Sequence, residues 1–154
     1  MKTRAIGMTL AVCFIAVAVS FAGNPNMGTW KLNEAKSNLP AMAPKNHTVV
    51  YEAAGANVKV TVDGTDSAGK PTHNEWTGKF DGKDYPLTGD PTADTRSYKK
   101  IDDRTTELTN KKGGKVTATG RIVISADGKT RTVTVSATDP SGNKVEYSGV
   151  YDKQ

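Results

Sequence analysis

The chain has 154 residues, 36% hydrophobic and 24% charged, with one cysteine and a formal net charge of +5. This is one domain's worth of chain, which excludes a multidomain enzyme and a polytopic membrane protein. The hydrophobic fraction is low, but the apolar residues alternate in order, which excludes a disordered chain.

The first 22 residues read as a leader rather than as part of the fold. Lys2 and Arg4 give a positive start, Ala5 to Val19 is almost wholly apolar, and Ser20-Phe21-Ala22 places small residues at the −3 and −1 positions of a cleavage site. This is the three-part pattern of a secretory signal peptide. The apolar run is too short to span a bilayer comfortably. Cleavage near Ala22 is expected, with export to the periplasm or the extracellular space and no membrane span in the mature form. Leu10-Ala11-Val12-Cys13 resembles a lipid-attachment motif, but Val12 is bulky where such a motif takes a small residue. Cys13 is therefore expected to leave with the leader, so the domain at 23–154 is held by its core and not by disulfides.

After residue 22 the chain contains 18 Thr and 11 Val but only four Leu. Thr and Val suit pleated surfaces, whereas a helical bundle needs Leu. In chain order, strands are expected at 28–33, 48–53, 58–63, 72–80, 83–87, 95–101, 105–111, 115–125, 130–138 and 144–152. Turn signals separate them, among them Ala54-Gly55-Ala56-Asn57, Asp81-Gly82, Asp102-Asp103-Arg104 and Asp127-Gly128. Hairpin-short connections favour a meander, and a meander of this size removes its exposed edges by closing. The expected fold is all-β: an up-and-down antiparallel barrel of 8–10 strands.

Alternation assigns the inward faces. Val58, Val60 and Val62 share one face. Val116, Ala118, Gly120, Ile122 and Ile124 share another, as do Val133, Val135 and Ala137, and Val145, Tyr147, Gly149 and Tyr151. Four of these, Ala118, Gly120, Ala137 and Gly149, are small. Two interiors are compatible with that pattern. Either the small residues leave a ligand cavity, or Trp76, Phe80, Tyr98, Tyr147 and Tyr151 lean across and fill it. Arg96, on the face of Tyr98, and Arg131, on the face of Val133, could meet a negative head group; alternatively they reach solvent or stack on Trp30.

Gly28-Thr29-Trp30-Lys31-Leu32 opens the first strand, and Val150-Tyr151-Asp152-Lys153 closes the last. The Gly-x-Trp entry resembles that of the calycins: lipocalins, fatty-acid-binding proteins and avidins. The ending resembles that of fatty-acid-binding proteins. The resemblance implies that Trp30 plugs one end of the barrel, that Gly28 lets the chain turn beneath it, and that the interior carries a ligand. Two features depart from fatty-acid-binding proteins. Gly149 stands where they place an Arg that grips the lipid carboxylate, and Pro40 and Pro44 forbid a continuous helix in the segment where they carry a two-helix lid. At most one short turn near Glu34 to Ser37 is expected there.

Chemistry is sparse. His47 and His73 are far apart and in no metal-ligand spacing, so neither a metal nor another cofactor is expected. No nucleophile elbow or phosphate loop occurs, and Asp63-Gly64-Thr65-Asp66 and Asp90-Pro91-Thr92-Ala93-Asp94 read as Asx turns rather than calcium loops. Without the leader's two cations the charge is 19 − 16 = +3. The lysines are scattered and no aromatics interleave them, so nucleic acid is not an expected partner. The expectation is a monomeric, non-catalytic barrel binding a small hydrophobic or amphipathic molecule. Its site would be bounded by Trp76, Phe80, Tyr98, Ala118, Gly120, Ala137, Tyr147, Gly149 and Tyr151, with Arg96 or Arg131 for an anion. The alternative is an envelope interaction protein with a solid barrel and partner-binding loops.

Overall fold

The computed structural model describes residues 23–139 and 141–154. The expected leader, its cleavage point near Ala22 and Cys13 lie outside the described residues.

Ten antiparallel strands form a closed barrel: β1 (Gly28–Leu32), β2 (Lys45–Ala54), β3 (Asn57–Thr65), β4 (Pro71–Gly78), β5 (Tyr85–Thr88), β6 (Thr95–Lys100), β7 (Thr105–Lys112), β8 (Lys115–Ile124), β9 (Thr130–Thr138) and β10 (Lys144–Lys153). Each strand pairs with its neighbours in sequence, and β10 returns to β1 with Leu32 opposite Tyr151 and Trp30 opposite Lys153. Closure continues past the strand ends: the Asn33 amide donates to the Val150 carbonyl at 2.8 Å, and the Gln154 amide donates to the Thr29 carbonyl at 3.0 Å. Among the described residues the one helical element is a single 3-10 turn, Glu34–Lys36, capped by the Asn33 side chain.

The two ends of the barrel differ. At one, Trp30 is fully buried and its Nε1 donates to the Asn26 carbonyl at 2.7 Å. Asn26 is itself buried, and its Nδ2 reaches the Thr106 hydroxyl on β7, on the far wall, at 3.3 Å. The segment before β1 therefore crosses the barrel mouth and closes it. Gly28 makes the bend with φ 105°, a conformation that residues with a Cβ rarely adopt. At the other end lie the 33–44 segment and the turns after β3, β5, β7 and β9. Ala118, Ala137 and Tyr147 are only half-buried there. We call this the open end.

Three details depart from the alternation pattern. Val116 was expected to face inward, but it pairs with Lys111 while Ala118 pairs with Asn110. The extra residue, Thr117, forms a bulge that turns the strand end over, and Val116 is 55% exposed. Asp81-Gly82 does not make a two-residue hairpin, because β4 stops at Gly78 and the connection runs from 79 to 84. Within it the Gly82 amide donates to the Tyr98 carbonyl at 2.8 Å and Asp81 bridges to Lys99. Phe80, read as the last residue of the fourth strand, lies in this connection and stacks on Tyr98. The contact with that ring draws the segment off the ladder. Third, β2 carries a bulge between Asn46 and Thr48, opposite Gly64. A Cβ on Gly64 would collide with the Lys45 carbonyl oxygen, so the bulge needs glycine there.

Candidate functional site

From its middle towards its closed end the barrel is filled by aromatic rings. Trp76 meets Tyr98 edge-on at 4.7 Å between centroids, Phe80 stacks on Tyr98 at 5.0 Å, and Tyr85 packs against Trp76 at 5.7 Å. Tyr51, which the sequence reading did not single out, contacts Phe80 and Tyr98 at 6.4 and 6.3 Å. Edge-to-face and offset geometries of this kind suit the ring quadrupoles. Burial, with the neighbouring Tyr51, pushes the Tyr98 phenol well above its ordinary range. Trp76, Phe80 and Tyr98 therefore lie together in one packed cluster.

The small residues do not add up to one large void. A Cβ on Gly120 would lie 2.9 Å from Leu108 Cγ, so the leucine of β7, directly opposite on the ladder, covers that glycine. A Cβ on Gly149 would lie 3.0 Å from Tyr151 Cε2 and 3.5 Å from Leu32 Cδ1. Ala118 and Ala137 pair with one another and sit half-buried near the open end.

A cavity of about 60 Å3 remains between the sheet and the 33–44 segment. Val133 and Val135 of β9 and Tyr147, Gly149 and Tyr151 of β10 form one wall. Leu32, Leu39, Pro44, Lys45 and Asn46 form the other. Three of the residues singled out from sequence, Tyr147, Gly149 and Tyr151, are thus brought together. The second wall was not anticipated: Pro40 and Pro44 had been read only as helix breakers, and no periodicity marks which side chains of an irregular segment turn inward. The segment is held against β10 by Asn38, which exchanges backbone hydrogen bonds with Ser148 at 2.8 and 3.0 Å. The Ser37 hydroxyl adds another, accepting from the Val150 amide at 2.8 Å. Burial pushes the Tyr151 phenol up to about 12 and raises that of Tyr147, where the Asp90 carboxylate adds to the effect.

The two arginines differ. Arg96 is buried, and its Nε donates to Asn110 Oδ1 at 2.7 Å while Nη2 lies 4.0 Å from Asp90 Oδ2. Arg131 is 4% exposed and lies among three rings, its Cζ 4.8 Å from the centroid of Tyr151, 5.2 Å from Tyr51 and 5.5 Å from Trp30. Lys153 lies over the Trp30 ring as well, at 5.2 Å.

Elsewhere, His47 and His73 are exposed. His73 Nδ1 lies 2.6 Å from Asp63 Oδ1, and Glu75 is 3.6 Å from Nε2. An open groove of about 530 Å3 at the closed end is walled by residues 102–105 and 123–125, and it contains none of the residues singled out from sequence. In comparisons of the sequence with protein-family models and with curated proteins, nothing matches.

Proposed function

We propose that this chain is an exported, calycin-like binding protein with no catalytic role, taking one small amphipathic molecule at the open end of its barrel. The observation that supports this reading is the cavity between β9–β10 and the 33–44 segment. Its apolar groups converge from two independent parts of the chain, with Lys45 and Asn46 among the lining residues. Its volume, about 60 Å3, is well below the roughly 300 Å3 at which drug-sized pockets begin. A ligand much larger than a head group must therefore displace part of the 39–44 segment, which lies outside the sheet ladder.

The test is uptake of a panel of fatty acids, retinoids and quinones, followed by quenching of tryptophan fluorescence, in the native protein and in Gly149→Val. The branched side chain would enter the cavity beside Tyr151 and Leu32. Binding by the native protein and its loss in a folded Gly149→Val is the expected result; equal uptake by both would refute the site.

The aromatic packing around Trp76 and Tyr98 favours a second reading, an envelope interaction protein whose solid barrel presents loops to a macromolecule. A native protein that takes up nothing from the panel would favour it.

A further inference from the structure

Exposed apolar side chains stand at both ends of the barrel, but the charges beside them differ in sign. At the open end Met42 is 72% exposed, Val116 55% and Val145 37%. At the closed end Ile101 and Val123 are 42% and 43% exposed. Ile101 runs directly into Asp102 and Asp103, and Val123 shares a groove with both carboxylates. Val116 and Val145 each follow a lysine instead. The turn from β7 to β8 reads Lys112-Gly113-Gly114-Lys115-Val116, and β10 begins Lys144-Val145. Lys112, Lys115 and Lys144 are exposed and form no ion pair among the described residues, whereas Lys111 and Lys45 nearby are held by Asp84 and Glu34. The carboxylates of the two turns face backbone amides: Asp94 accepts from Gly113, and Asp139 accepts from Ser141 and Asn143.

The two tips are neighbours. Val145 pairs with Ala137 of β9, and Ala137 pairs with Ala118, two residues from Val116 on β8. An apolar strip thus crosses the rim from β8 to β10, on the side where the 33–44 segment carries Met42. Both tips stand clear of the barrel, since a Cβ on Gly113, Gly114 or Gly142 would meet no atom within 4 Å.

We propose that the open end docks on an anionic lipid bilayer through these two hairpin tips, with the lysines on the head groups and Val116, Val145 and Met42 in the interface. A lysine carries its charge on a long apolar stem, so it holds a head group while the valine beside it enters the acyl boundary. A packed protein interface needs roughly 800 Å2 from each partner. Three side chains set along a rim fall short of that, but a fluid surface closes around separate tips. The same surface repels Asp102 and Asp103, so the cavity mouth and not the closed end faces the lipid. Docking requires no occupant in the cavity, so it is tested independently of ligand uptake.

Residues 23–154 contain every strand of the barrel and no cysteine, so Val116→Cys gives a single attachment point for an environment-sensitive fluorophore. Binding is read by sedimentation with vesicles of phosphatidylcholine alone, or of phosphatidylcholine and phosphatidylglycerol in equal parts. The protein is expected to bind the mixed vesicles at least tenfold more tightly, with a blue shift of the label, and to be released at high salt. A label on Val123→Cys is expected to stay unshifted. In the unlabelled protein, Lys112→Gln, Lys115→Gln and Lys144→Gln together remove three charges, each worth about fivefold near an anionic leaflet, so the affinity for mixed vesicles is expected to fall at least tenfold. Near-UV circular dichroism checks that this variant keeps its fold. Unchanged binding by the folded lysine variant would overturn the proposal, as would a shift at Val123 without one at Val116. Equal binding to the two kinds of vesicle would also overturn it. Binding to neither would overturn it as well, and would leave the lysine tips to an acidic macromolecule.

Discussion

At the scale of single residues, Trp30 anchors the closed end: its ring is fully buried and its Nε1 donates to the Asn26 carbonyl. Its burial was legible through the resemblance of the Gly28-Thr29-Trp30 entry to that of the calycins. Gly120 was legible as inward and small, yet the space beside it belongs to Leu108, a residue of another strand. A period of two names the face a side chain occupies. It does not reveal whether the neighbour directly opposite on the ladder leans over it. His73 supports a prediction at this scale. Its hydrogen bond to Asp63 favours the imidazolium, so its pKa lies above the ordinary 6.5 in the fold. The sign follows from that: the pair's contribution is full below the unfolded pKa and is lost as pH rises through the higher, folded one. Because the ring is exposed, the effect on stability is small. In an NMR titration the His73 ring is expected to titrate above 6.5, and to fall back towards 6.5 in Asp63→Asn. A midpoint at or below 6.5 in the native protein would contradict this.

At the scale of elements, strand number and order were legible because turn residues recur between alternating segments and every connection but that from β1 to β2 is short. What was not legible was the strength of each pairing. β5 has four residues, one of them Pro86, which has no amide hydrogen to give the ladder. It is matched to β4 only at Glu75–Thr88 and Trp76–Leu87, and to β6 only at Tyr85–Arg96 and Pro86–Thr95. This is the weakest stretch of the barrel wall, and a side chain reinforces it. Trp76 Nε1, from β4, donates to the Arg96 carbonyl on β6 at 2.8 Å, spanning β5. Trp76→Phe keeps a ring but strands that carbonyl, at a cost of about 1–3 kcal/mol. Urea unfolding is expected to show that loss, with faster amide exchange at Leu87. A loss below ~0.5 kcal/mol would mean that the bond across β5 contributes little to stability.

At the scale of the whole molecule, closure follows from the meander, but the difference between the ends comes from segments without periodicity. The turn at Asn24–Met27 seals one end through Asn26 and Thr106, and the 33–44 segment walls the other through Leu39 and Pro44. Such segments obey local hydrogen bonding and packing rather than an alternating pattern, so the candidate site was legible only on its sheet side, at Tyr147, Gly149 and Tyr151. Filled from its middle to its closed end, the barrel is proposed to bind at its open end. Titration of isotope-labelled protein with dodecanoate, read as amide and methyl shift changes, tests this most directly. The largest changes are expected to cluster at Leu32, Leu39, Val133, Val135 and Gly149, with little change at the groove of 102–105 and 123–125. Changes concentrated at that groove, or absent throughout, would contradict it.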